Sequence, residues 1–319
     1  MLIKDLISLT KPGIILGNLV SASGAFFLGT GGALRPLDFC LTLIGLSLLI
    51  AGGCVYNNCI DQDIDRLMER TRNRPLAQHR LSMQAALVLA TALSVAGSSL
   101  LYLLGGLLGL SLAVFGLFSY VVLYSLWLKR TQWGTWGGSI SGAMPPLIAY
   151  ACATHHLDLT ALVLFLMYCL WQIPHAQALG IMHLEDYQRA SIPVVLSGEL
   201  GIRRIKTMTP WYVVIFCLLS LSLFFIHRVG LIYLLSILAM STLWLRASLF
   251  KRNQLSHRNW AKKSFVYSLY MVMLLSFMMS VDVKDLSSGD NSQIAQNSSL
   301  SLHSHELWFA WLTSTPLQK

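Results

Sequence analysis

Nine apolar stretches, at 14–32, 38–60, 84–104, 107–127, 135–152, 159–179, 211–227, 229–247 and 264–283, divide this chain of 319 residues. Each approaches the ~20 residues a helix needs to cross a ~30 Å hydrocarbon layer. Lipid leaves only helices and closed barrels with a satisfied backbone, and no strand-length alternation competes with the apolar runs. The pattern therefore predicts an all-α polytopic membrane protein of nine transmembrane helices. Composition agrees: 12% of residues are charged, against roughly 25% in soluble domains. So little charge cannot cover a water-facing surface, and lipid must be the solvent. The joins near Gly105–Gly106 and Arg228–Gly230 leave room only for tight hairpins. The first stretch is too long for a signal-peptide core and reads as the first span.

The 23 Lys and Arg sort by loop. Nineteen fall in the N-terminus and after even-numbered spans, and four (Arg35, Arg228, Lys284 and Lys319) fall on the other side. The positive-inside rule then places the N-terminus in the cytoplasm and the C-terminus outside. The net charge of +9 follows from this topology, and no nucleic-acid module accompanies it. The six cysteines lie in or beside apolar spans without C-x-x-C spacing, and read as small packing residues. Two regions are expected: a membrane domain over 1–283 and a polar tail over 284–319, rich in Ser, Asn and Gln and expected to be disordered. Within the tail, the short run Leu307–Leu312 suits the membrane interface.

The informative charges stand where the second span reaches the cytoplasm. Asn57, Asp61 and Asp65 are spaced i, i+4, i+8 and share one helix face. With Asp63 they put three carboxylates within five residues, which repel unless something positive compensates. Hard oxygen ligands suit Mg²⁺, which binds one or two carboxylates together with substrate phosphates. A solvated helix end would also mix acids and bases, but it would not need an Asn inside the apolar span. Next comes Glu69-Arg70-Thr71-Arg72-Asn73-Arg74-Pro75, whose guanidiniums match phosphate geometry. Topology explains the sign of these arginines and not their position beside the acids.

Asn57-x₃-Asp61-x₃-Asp65 followed by Arg70-Thr71-x₂-Arg74-Pro75 resembles the first Asp-rich motif of the intramembrane, UbiA-type prenyltransferases. Three further stretches resemble the protohaem IX farnesyltransferases within that superfamily. They are Thr10-Lys11-Pro12-Gly13, Tyr124-Ser125-x₂-Leu128-Lys129-Arg130-Thr131 with Gly137–Pro146, and Trp171-Gln172-Ile173-Pro174-His175 with Glu185–Ala190 and Ile192-Pro193. The resemblance runs over residues 8–283. It implies a helical bundle around a central cavity in a bacterial inner membrane, with Mg²⁺ held by Asn57, Asp61 and Asp65. Arg70, Arg74, Lys129 and Arg130 would bind the diphosphate of farnesyl diphosphate, and haem B would accept the farnesyl group at a vinyl, with water added, to give haem O. His175, if not simply a polar residue satisfied within the bundle, would act near the porphyrin, orienting a water or contacting the haem iron or a propionate. The second D-x₃-D motif of aromatic-acid prenyltransferases is replaced here by Glu185-Asp186, so Asp186 is expected to contribute a weaker catalytic contact. Haem A synthase and terminal-oxidase assembly factors are implied partners.

Several neighbouring features carry an expectation as well as a plain alternative. On an unbroken helix His175 and Asp186 would face the same way, with Pro174 a candidate kink. Gly137, Gly138 and Gly142 fit close helix packing, and Pro145-Pro146 would break or bend the fifth span. Trp171, Tyr120 and Tyr124 are stacking surfaces for a flat ring or a carbocation, or ordinary core aromatics. Two rival functions remain at this stage: a UbiA-type enzyme acting on an aromatic quinone precursor, and a membrane transporter or haem carrier. Clustering of the acids at one membrane face, without a visible internal repeat, disfavours the transporter.

Overall fold

The computed structural model describes residues 3–193, 198–250 and 254–284. The tail expected over 284–319 lies outside the described residues except for Lys284. The architecture is all-helical: α1 (Ile3–Thr10), α2 (Pro12–Gly29), α3 (Pro36–Ile60), α4 (Gln62–Leu67) and α5 (Met83–Phe118), then α6 (Gly134–Thr154) and α7 (Leu159–Met182). The short α8 (Leu184–Arg189) and the long α9 (Gly198–Phe225), α10 (Leu231–Leu249) and α11 (His257–Val281) complete it. Between α5 and α6 the chain runs as a π-helix, Ser119–Trp127, and one 3₁₀ turn, Leu128–Arg130.

Seven helical runs among the described residues are long and apolar enough to cross a membrane. One of them, Met83–Arg130, carries two of the nine expected spans. Gly106 sits inside it at φ 60, ψ −150, far from helical geometry. A Cβ on Gly109 would come within 2.5 Å of the Leu101 carbonyl oxygen. Eight residues along a straight helix would separate these positions by about 12 Å. The chain therefore folds back at Gly106, a conformation open to glycine at little steric cost. The expected fifth span forms α6, 21 residues long, whose Gly, Ser and Pro leave it outside the seven. Of the expected break or bend at Pro145-Pro146, the break does not occur: both prolines are accommodated within the continuous α6.

Local sequence explains where helices begin. Pro12 and Pro36 open α2 and α3, where a missing N–H costs nothing. Ser82, Asp158 and Ser256 cap α5, α7 and α11 by accepting from the N–H groups of Ala85, Ala161 and Asn259. The helices meet through small residues, as membrane helices do. Gly97 of α5 lies so close to α3 that a Cβ would approach Leu49 N to 2.6 Å and Gly45 O to 2.7 Å. Gly24 of α2 meets the Ser276 backbone of α11 at 2.6 Å in the same sense.

A polar knot ties the ends of α6, α7, α9 and α11 remote from the acidic cluster. Tyr150 OH donates to the Asp158 carboxylate (2.9 and 3.0 Å to its two oxygens) and accepts from Arg228 Nη2 at 2.7 Å. Burial would raise the Asp158 carboxyl, but the Ala161 N–H and Tyr150 OH overrule it and hold it low. Gly230 N–H donates to Asp282 O at 2.8 Å, and Lys284 N–H to Arg228 O at 3.0 Å.

Candidate active site

The acidic motif straddles a helix end. α3 stops at Ile60, Asp61 takes φ −90, ψ 6, and α4 begins at Gln62. Helical bonding nonetheless carries through, from Asp61 N–H to Asn57 O at 2.9 Å and from Asp65 N–H to Asp61 O at 2.7 Å. The expected shared face is thereby kept, and Asn57, Asp61 and Asp65 are 4%, 1% and 4% exposed. Buried acids demand partners, and each polar group of the motif has a cation. Asp61 Oδ2 pairs with Lys129, and Arg74 Nη1 donates to Asp65 Oδ1 at 2.9 Å and Oδ2 at 2.7 Å. Lys11 Nζ donates to Asn57 Oδ1 at 2.5 Å, while Asn57 Nδ2 donates to Ser125 Oγ at 2.9 Å. Asp61 Oδ1 is buried with no hydrogen-bond partner.

Lys11 is the site residue that sequence reasoning missed; it counted there as a topological charge and as part of a matching stretch, without a role at the acids. It stands between α1 and α2 at φ 52, ψ 67 in the left-handed region. That strained turn brings its ammonium to the acids. Burial first, and then the Arg74 charge, lower it from the ordinary 10.5 to about 8.

Beside this cluster opens a cavity of about 550 Å³. Lys129, Thr131 and Tyr187 stand in its wall with Tyr120 and Tyr124, and Leu46, Ile148 and Tyr168 line its apolar part. Asn57, Asp61 and Asp65 are not in the wall; Lys129, which pairs with Asp61, is. Tyr120 and Tyr124 stack with ring centres 5.9 Å apart and an interplanar angle of 12°. Gly142 admits Gln172: a Cβ there would meet its side chain at 2.8 Å.

His175 lines the same cavity, stacked between Trp171 (4.6 Å, 24°) and Phe265 (4.7 Å, 29°). Its Nδ1 is 2.8 Å from Ser268 Oγ. His175 lines the cavity and Asp186 does not: α7 ends at Met182, His183 takes φ −117, ψ 31, and α8 follows, with i→i−4 bonding carried through from His183 N–H to Leu179 O and from Tyr187 N–H to His183 O, both at 3.2 Å. Pro174 does not interrupt α7, which runs through it. Asp186 instead accepts from Glu69 N–H at 2.9 Å, which brings α8 against the arginine-bearing loop. Burial first, then Arg70, push the nearby His183 imidazole down.

The expected diphosphate ligands divide. Lys129 and Arg74 are in the cluster. Arg70 is exposed and makes no ion pair among the described residues, though its charge reaches Tyr124 and His183. Arg130 is exposed and lies outside the cavity wall. A 3₁₀ turn puts adjacent residues about 120° apart, so Lys129 facing Asp61 turns Arg130 away. Among the described residues no three His, Cys, Asp or Glu side chains converge in a ready-made metal cage. The cluster instead offers one amide oxygen and two carboxylates, one of whose oxygens, Asp61 Oδ1, is unpartnered, a donor set that fits a hard divalent ion sharing its shell with phosphate.

The model of the UbiA prenyltransferase family matches residues 18–274. "Protoheme IX farnesyltransferase 2" of Pseudomonas fluorescens is 45% identical over 89% of this chain and 96% of its own length. "Protoheme IX farnesyltransferase" of Pectobacterium carotovorum is 44% identical over 88% and 95%. Among solved structures, a UbiA homolog from Archaeoglobus fulgidus bound to GPP and Mg²⁺ superposes with a TM-score of 0.61 at 14% identity, covering 87% of this chain and 99% of that one. At that identity the superposition speaks for the fold alone. The family match over most of the chain, and relatives that align along nearly their whole length, make this protein a prenyltransferase of the UbiA family, among its protoheme IX farnesyltransferases.

Proposed function

We propose that the chain transfers the farnesyl group of farnesyl diphosphate to a vinyl group of haem B, with addition of water, giving haem O and pyrophosphate. One observation carries this reading: three oxygen-bearing side chains of a single helix face meet three cations beside an apolar cavity. An anionic head and an isoprenoid tail need that pairing of environments. The names of the 44–45% identical relatives support the choice of farnesyl donor and haem acceptor.

Asn57, Asp61 and Asp65 would hold Mg²⁺, which neutralises charge growing on a leaving diphosphate. Lys11, Arg74 and Lys129 now occupy these oxygens. Once relieved of that duty, they lie within reach of phosphate oxygens and complete a preorganised cationic end. Arg70, free of ion pairs among the described residues, extends that end outward. Asp186 holds the arginine loop through Glu69 and acts as a positioning group. The stacked Tyr120 and Tyr124 present π-faces that tolerate a developing allylic cation and exclude water. His175 marks the porphyrin side of the cavity.

The nine-span topology with a cytoplasmic N-terminus and an outside C-terminus, the bacterial inner membrane, the division into a membrane domain and a tail, and contact with haem A synthase or oxidase assembly factors belong to the same reading. It rests on the sorting of 19 against 4 basic residues and on bacterial relatives.

The test is Asp61→Asn in membranes supplied with Mg²⁺ and farnesyl diphosphate, with haem O read from extracted haem. A loss on the order of 10²-fold is expected. Undiminished haem O formation refutes the metal-binding role, and prenylated benzoate without haem O refutes the acceptor.

A further inference from the structure

Ser268 stands at the centre of the aromatic wall. It is fully buried on α11. Its backbone carbonyl accepts from Trp171 Nε1 at 2.8 Å, and its hydroxyl meets His175 Nδ1 at 2.8 Å. The same hydroxyl oxygen lies 2.6 Å from Phe265 O. A serine hydroxyl has one hydrogen. Two bare oxygens at that separation would repel, so the hydrogen must lie between Ser268 Oγ and the Phe265 carbonyl. Toward His175 the hydroxyl can then only accept. Nδ1 therefore carries the imidazole hydrogen, and Nε2 is left with a lone pair and no hydrogen-bond partner among the described residues.

Stacking restricts the ring further. Trp171 covers one face of His175 and Phe265 the other. No ligand can stack on this imidazole, so contact from the cavity comes through its edge. An edge that presents a lone pair repels a carboxylate and takes a Lewis acid. These two facts narrow the roles open to His175 near a porphyrin: the neutral ring cannot donate to a propionate, and its lone pair can accept from a water or bind a metal centre in its own plane. A hydrogen-bond partner on the far ring nitrogen that fixes a histidine's tautomer is the usual companion of such ligation.

We propose that His175 Nε2 is an axial ligand to the iron of the metalloporphyrin substrate, and that Ser268 is the positioning residue that fixes the imidazole in the required tautomer. This rests on the reading that haem B is the acceptor. Ligation adds a coordinate bond and removes no atom or electron from the substrate, so the porphyrin enters and leaves unchanged in redox state. It also fixes the macrocycle at one point, which limits the ways a vinyl group can approach the diphosphate end.

The test uses the full chain in nanodiscs without farnesyl diphosphate, titrated with haem B, zinc protoporphyrin and metal-free protoporphyrin. The wild type should bind haem with a histidine-ligated absorption and resonance Raman signature, and bind the metal-free ring more weakly. His175→Gly should lose that signature and regain it with added imidazole. Ser268→Ala should keep haem bound, shift the iron–histidine band and weaken binding about 10-fold, while metal-free porphyrin binding stays unchanged. A histidine signature that survives in His175→Gly without imidazole overturns the ligand assignment. An unshifted band and unchanged affinity in Ser268→Ala overturn the positioning role. Failure of haem to bind any variant overturns the acceptor reading and the ligation with it.

Discussion

The backbone N–H of Glu69 donates to Asp186 Oδ1 at 2.9 Å, across 117 residues of chain. Together with the packing of Ile64 and Met68 against Ile192 and Tyr187, this bond docks the segment after α7 onto the segment after α4, and so sets where Arg70 and Arg74 stand. Asp186→Ala should lower kcat/KM for farnesyl diphosphate about tenfold, equivalent to about 1.4 kcal/mol. Asp186→Asn, whose amide oxygen can still accept, should retain most of it. Equal losses in the two variants, measured by pyrophosphate release, would show that the carboxylate itself is needed.

Lys129 and Arg130 are adjacent in sequence and opposite in consequence. Lys129→Met leaves the Asp61 carboxylate buried without its counter-charge, at a cost of about 3 kcal/mol. Thermal unfolding should fall accordingly, and Mg²⁺ should restore more stability to this variant than it adds to the wild type. Arg130→Ala should leave activity within about twofold, as surface substitutions do. An Arg130 variant as damaged as the Lys129 one would contradict the geometry.

Lys11 makes diphosphate binding sensitive to alkali. With its ammonium lowered to about 8, it is charged below that pH and neutral above. The free-enzyme profile of kcat/KM should therefore fall as pH rises through about 8. Lys11→Arg, charged throughout, should flatten that limb. Folding stability runs the other way: between about pH 8 and 10.5 the unfolded chain binds the extra proton, so this group's contribution rises with pH. A limb that persists in the Arg variant assigns the titration elsewhere.

Gly97→Ala tests the packing that carries the site. A methyl there would press on backbone atoms of Leu49 and Gly45, which cannot rotate away. Separation of α5 from α3 should cost about 1–3 kcal/mol, seen as a lower unfolding midpoint in detergent. An unchanged midpoint would mean that the two helices are not held at this distance.

The sequence displayed the helices and the acidic face because both are local. Apolar length specifies a span, and i, i+4, i+8 spacing survives the change from α3 to α4. What it hid depends on turns and on contacts between distant residues. Lys11 reaches Asn57 only through a left-handed backbone 46 residues upstream. Arg130 shares a family-like stretch with Lys129, which suggests a shared role, whereas a 3₁₀ turn points the two apart. Asp186 turns out to serve the Glu69 backbone across 117 residues of chain, a contact that no local spacing displays. Ser268, the partner of His175, lies 93 residues away in an ordinary apolar span.

The π-helix Ser119–Trp127 has a further consequence. In α geometry Ser125 would point roughly 140° away from Tyr120. Here Ser125 Oγ bonds the Tyr120 carbonyl at 2.8 Å and also receives Asn57, while Tyr120 and Tyr124 line the cavity. The wider turn thus lets Tyr120 and Tyr124 line the cavity while Ser125, on the same short stretch, holds Asn57 of the acidic cluster. Deleting a residue from this stretch would leave a perfectly good helix with the wrong lining, so over evolutionary time length changes there would register as altered substrate choice rather than as lost folding.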